Sequence, residues 1–243
     1  MTMISSFKKP VGAAPVAAVE NEAPAIPSHD AEETTTLAFP SKPVDGEFRA
    51  EDFVIPKLHL VQSVGPLSET FQPGSLVYNK ELVLTDGVAP LSLAVLRIRK
   101  QYVENVEYGG DEVPRVFDTL EEVRAAGGWI DWRNNERPPF SPVLHSLVLI
   151  KSPFPDNPLF PYQFADHSYG LAMWTLRSTG FTRAGKTIIT ASQFALKNGL
   201  HTGGWSLTSK REKIGMNFVF VPVLRHEAKH TGEFAEFAAS LLG

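Results

Sequence analysis

From Phe53 onward, apolar and polar residues alternate in short runs separated by Pro, Gly and Asn, the periodicity of strands. FVIPKLHLVQ (Phe53–Gln62) alternates after its proline, with Leu58, Leu60 and Gln62 on one side. SLVYNKELVLT (Ser75–Thr85) predicts a strand or a tight hairpin around Asn79-Lys80. PLSLAVLRIRKQYVENVEY (Pro90–Tyr108) is the longest strand-like stretch. Alternation sets Val95, Arg97 and Arg99 on one face of it, and Leu96 and Ile98 on the other. VLHSLVLIKS (Val143–Ser152) reads as a buried strand and SPFPDNPLFP as a proline-rich loop. LAMWTL (Leu171–Leu176), GGWSLTS (Gly203–Ser209) and MNFVFVPVL (Met216–Leu224) complete the strands, with Phe218 and Phe220 expected in the core.

Helical periodicity is confined to three places. DTLEEVRAAGG predicts a short helix with Asp118 as N-cap, Glu121 three residues on, and Gly127 ending it. TIITASQFAL (Thr187–Leu196) predicts an amphipathic helix, and GEFAEFAASLL a short terminal one. Strands in series, not separated by crossover helices, predict an all-β to α+β fold and not repeated βαβ units. Residues 1–50 are rich in Ala, Pro, Glu and Thr and lack apolar periodicity, so a disordered tail is expected there. The folded domain is expected over 51–228, with an amphipathic C-terminal tail over 229–243.

Composition narrows the chemistry. The chain has no cysteine, which excludes disulfides, thiolate zinc sites and thiol catalysis. The N-terminal stretch has no continuous apolar core of the signal-peptide kind, so an intracellular protein is expected. The net charge of −4 is unevenly spread. Residues 171–225 hold eight basic side chains (Arg177, Arg183, Lys186, Lys197, Lys210, Arg211, Lys213 and Arg225) against one acid, Glu212. Such asymmetry points to an anionic partner.

Within this basic segment, GFTRAGKT (Gly180–Thr187) matches the P-loop pattern G-x-x-x-x-G-K-[ST]. A strand-like run precedes it and a helix-like run follows. The wider chain argues against a nucleotide site. A P-loop fold needs further parallel strands after the loop, one of them ending in a metal-binding Asp. Only 56 residues follow Thr187, and their one strong strand has no acid before Glu227. At 100° per residue, Lys186, Thr190, Gln193 and Lys197 share a narrow arc with Arg183 at its edge, while Ala184, Ile188, Ile189, Ala195 and Leu196 oppose them. The same lysine then serves a row of phosphate contacts.

Binding of a single strand combines cations with rings on which bases stack. Trp205, after Gly203-Gly204 and before SKREK (Ser209–Lys213), is the leading candidate ring, with Trp174 and Phe181 behind it. Arg97, Arg99 and Lys100 are candidates to extend the groove. Trp129 and Trp132 lie in an acidic stretch and are expected to pack. HEAKH (His226–His230) matches the HExxH zinc pattern in letters, but a zinc site needs a helix, a third ligand and a cleft, and this stretch follows a strand directly and approaches the terminus. No metal site, cofactor or catalytic set is expected.

IPKLHLVQ, followed by a G-P-L-S…F-x-P-G-S segment, resembles the start of a group of bacteriophage single-stranded-DNA-binding proteins. The later part of those proteins is similar to WTLRSTGFTRAGKTIITASQFALKNGLHTGGWSLTSKREKIGMNFVFVPVL. The resemblance covers roughly residues 53–225. It implies an OB-like, partly open β-barrel that coats single-stranded DNA in replication or recombination, with replication or recombination proteins as further partners. Many such proteins end in an acidic tail, whereas this chain ends EFAEFAASLLG. The expectation is therefore a non-enzymatic single-strand binder using Arg177, Phe181, Arg183, Lys186, Lys197, Trp205, Lys210, Arg211 and Lys213. The alternatives are a P-loop phosphohydrolase and a virion or scaffold protein with a basic contact face.

Overall fold

A computed structural model describes residues 54–106 and 113–242. The expected disordered tail over 1–50 lies outside these residues. As the alternating pattern predicts, the chain is mostly strand with few helices. Three short strands, β1 (Leu58–Leu60), β2 (Leu76–Tyr78) and β3 (Leu82–Thr85), form one antiparallel sheet in that order. The hairpin between β2 and β3 turns on Asn79 and Lys80, with φ of 51° and 62°. Seven strands form a second sheet: β4 (Leu91–Glu104), β5 (Val116–Phe117), β6 (Phe140–Lys151), β7 (Tyr162–Phe164), β8 (His167–Arg177), β9 (Gly203–Ile214) and β10 (Asn217–Lys229). Their order is β10-β9-β4-β6-β8-β7, with β5 on the side of β4. Neither sheet closes on itself. The two are tied at their margins. Lys57 bridges to Met173. The Gln62 side-chain amide stands in for a strand backbone, donating to Phe220 O at 2.9 Å and accepting from Phe220 N at 3.1 Å.

The long strand β4 does not alternate simply. Val95 pairs with Val148 and Arg97 with Leu147, so Leu96 is left as a β-bulge. The extra residue reverses the phase of everything after it. Val95 and Ile98 therefore face one core, whereas Leu96 faces the other. Arg97 and Arg99 lie on the face opposite Val95, not beside it as plain alternation predicts.

The main core fills the space between the two sheets, with Leu58, Tyr78, Leu93, Val148, Trp174 and Trp205 among its members. The helical run after β8 closes that core. It comprises α2 (Ser178–Gly180), a π-helical turn (Phe181–Gly185) and α3 (Lys186–Phe194), in unbroken sequence. Phe181, Ala184 and Ile188 point inward from it. A second core lies on the other face of the large sheet, beneath α4 (Gly232–Ser240). Phe234, Ala238 and Leu241 bury there against Ala94, Leu96, Leu147 and Leu149, so the C-terminal piece is part of the packed fold. Phe237 of the same helix stacks on Phe164 of β7 at 5.1 Å between centroids.

The short helix α1 (Leu120–Ala125) begins one residue later than the sequence suggests. Thr119 is its N-cap, accepting from Glu122 N at 3.2 Å while Glu122 accepts from Thr119 N. Asp118 is engaged elsewhere, by Arg99 at 2.9 Å and Gln101 at 2.9 Å.

Candidate nucleic-acid interface

The exposed cations gather on the α3 helix and the β9–β10 ribbon. In α3, Lys186, Thr190 and Gln193 are exposed, and Lys197 is exposed just past its end, while Ile188 is fully buried. This is the polar stripe that helical periodicity predicts. Arg183, in the π-turn, donates from Nη2 to Glu212 Oε2 at 2.7 Å, which ties the helical run to β9. Glu212 Oε1 lies 3.8 Å from Lys210 Nζ. The single acid of the basic segment thus sits where helix and ribbon cations meet. Beyond Ser209 the ribbon is a two-stranded projection. Arg211 lies over the Phe218 ring, 4.4 Å from its centroid, and Lys213 is exposed near the tip. Lys186, Lys197 and Lys213 make no ion pair among the described residues.

The segment that matches the P-loop pattern is helical, not a loop. Gly180 and Gly185 have φ of −60° and −59°. The amide N–H of Lys186 donates within the helix, to Phe181 O. The Thr187 hydroxyl donates to Arg183 O at 2.7 Å, where a P-loop threonine would hold a metal. Gly185 has a packing role, since a Cβ there would stand 3.2 Å from Phe181 Cδ2. The glycine accommodates a core ring.

The aromatic expectations need correction. Trp205 is 1% exposed, Trp174 2% and Phe181 8%. All three belong to the main core, so none offers a free face to a base. Trp205 pairs across the sheet with Leu93 and meets the His226 ring edge-on at 5.1 Å. Phe218, expected in the core, is 51% exposed. Phe220 is half-buried against Gly74. Trp132 does not pack, although Trp129 does so partly, under Arg133 at 5.1 Å. Two exposed rings lie beside the cations, Phe218 under Arg211 and the more exposed Phe194, at 77%. Sequence reasoning passed over it because an aromatic residue inside an amphipathic helix reads as core. The available signal was its angle on the helix, just beyond Arg183 at the edge of the polar arc.

Arg177 ends β8 and borders a cleft of about 330 Å³ shared with His59, Gln62, Thr179 and Phe220. Register also places it one row from Arg99 and His145 on the face opposite α3, with Arg97 a row beyond them. Lys100 is on the other face from these arginines, 2.9 Å from the Tyr102 hydroxyl. Arg97 and Arg99 therefore do not extend the α3 surface, whereas Lys100 lies on the same face of the sheet as the helical run, opposite Leu144. His226 lies in β10 and His230 just after it, not on a helix. No group of three His, Cys, Asp or Glu residues able to hold a metal is present among the described residues.

Three histidines have their pKa lowered, in each case chiefly by burial. Lys80 and Lys57 add to the effect at His59, Arg177 and Arg99 at His145, and His226 at His230. The folded state favours their neutral form, so the unfolded chain binds more protons below the usual histidine range of about 6.5. The associated stability is complete above that pH and declines as pH falls toward the lowered folded values. Thermal melts at pH 7 and pH 5 should show a lower Tm at pH 5, and His145→Gln should reduce the difference.

No protein-family model matches the chain, and no curated protein or solved structure does either. No helix among the described residues is long and apolar enough to cross a membrane.

Proposed function

We propose that this chain binds single-stranded DNA and coats it during replication or recombination of the bacteriophage type, without catalysing a reaction. The observation that carries this reading is the set of exposed cations Lys197, Lys186 and Arg183 on the helical run, joined by Lys210 on the near face of the β9–β10 ribbon, with Arg211 and Lys213 on the ribbon's other face. One carboxylate, Glu212, lies among them. Exposed cations contact backbone phosphates and release their counterions on binding. The fold supports the same reading. Two sheets share one core, β1 is tied to β8 through Lys57 and Met173, and Gln62 ties the same segment to β10. These features fit an open, OB-like barrel, a scaffold suited to single strands.

The test is fluorescence anisotropy of labelled oligo-dT, single- and double-stranded, across a salt series, with ATP turnover measured alongside. Tighter binding of the single strand and a steep fall with salt are expected. Lys186→Ala and Lys197→Ala should each reduce the slope of log K against log salt by about 1. Absence of binding at low salt would sink the proposal. ATP turnover that Lys186→Ala abolishes would restore the phosphohydrolase alternative.

A further inference from the structure

We infer that Phe194 is a stacking ridge that parts two adjacent bases of the bound strand, each base lying in its own cleft. This rests on the single-strand reading above and adds to it a register and a residue. Phe194 ends α3 and lines two clefts at once. One, of about 400 Å³, is bordered by Lys186, Thr190 and His226, with Trp205 beside them. The other, of about 510 Å³, is bordered by Lys197, Asn198, Lys229 and His230. Both volumes fall in the range of small-ligand sites.

Three properties favour a nucleotide over a purely apolar occupant. A large ring left 77% exposed has most of its surface available to a planar partner. Lysines stand on both sides of it, so an anionic backbone crossing the ridge meets a cation before and after the ring. Each cleft also has an exposed polar side chain on its border, His226 in one and Asn198 in the other, able to exchange hydrogen bonds with a base edge.

Because Phe194 contributes little to the core, its variants should fold, which melting curves would verify. Anisotropy with oligo-dT should show affinity reduced about tenfold or more in Phe194→Ala. Phe194→Leu, which keeps apolar bulk without a π face, should lose a similar factor. Phe194→Trp should bind like the parent, and its new indole emission should be quenched on saturation. If the parent chain binds oligo-dT and Phe194→Ala or Phe194→Leu binds equally well, the ridge is refuted and the single-strand reading stands. If the parent does not bind, the single-strand reading itself fails. Unchanged DNA affinity with self-association lost in Phe194→Ala, seen by light scattering, would overturn the inference in favour of a protein contact.

Discussion

Trp205→Ala is expected to lower the unfolding free energy by about 3–5 kcal/mol, the cost of emptying a large aromatic site in a packed core. Trp205 is the largest of the fully buried side chains, at 1% exposure. It lies opposite Leu93 in the β4–β9 pairing and shares the main core with Leu207 and Leu196. The indole spans the ground between sheet and helix, so neither can collapse into the hole without losing its other contacts. A fall in Tm on the order of 10 °C should follow. Its Nε1 has no partner in the folded chain, so no lost hydrogen bond adds to the packing cost. Trp205→Phe, which keeps a ring and loses volume, should recover more than half of the loss. A destabilisation below about 1 kcal/mol in Trp205→Ala would contradict the buried placement.

The second large effect is expected at Gly87. Its φ is +86°, in the region that side chains disfavour. A Cβ there would also run into the Gly74 carbonyl oxygen and the Ser209 hydroxyl. These are the atoms of a three-way junction. Ser209 Oγ donates to Gly74 O at 2.6 Å, and Ser209 N donates to Gly87 O at 2.7 Å. The loop before β2, the loop before β4 and strand β9 are fastened together at this point. Gly87→Ala must strain the backbone and force the junction apart, for a combined cost of about 3 kcal/mol or more. Urea unfolding should show a lower midpoint with an unchanged m-value. Ser209→Ala, which removes only the hydroxyl bond, should cost about 1 kcal/mol.

What could be read from the sequence was what depends on near neighbours. The hairpin at Asn79-Lys80 and the outward stripe of Lys186, Thr190 and Lys197 are set within a few residues. The strand-rich class follows from the same local alternation. What could not be read depends on distant parts of the chain. The bulge at Leu96 exists only in relation to β6, so the faces of Arg97 and Arg99 could not be assigned from β4 alone. Trp205 follows two glycines and precedes a basic cluster, which suggests an exposed turn. Pairing with Leu93 and cover from α3 bury it instead. Phe218 alternates correctly for a strand, but the β9–β10 ribbon has run past the large sheet by then, and nothing remains to cover that ring. The outward stripe of α3 was therefore legible, and the placement of the aromatics was not.

The π-helical turn at Phe181–Gly185 has a bearing on how this surface tolerates change in length. A π-turn carries one residue more than an α-helical turn of the same span, and each residue swings a helix by about 100°. Deleting a single residue between Phe181 and Gly185 would close the turn to an α-helical one and leave the phase of α3 unchanged, whereas a deletion inside α3 would swing everything after it by about 100°. After the first deletion Ile188 would still face inward and Lys186 outward. The turn works as a store of one spare residue, the place in the helical run where a change of length leaves the downstream cations where they are.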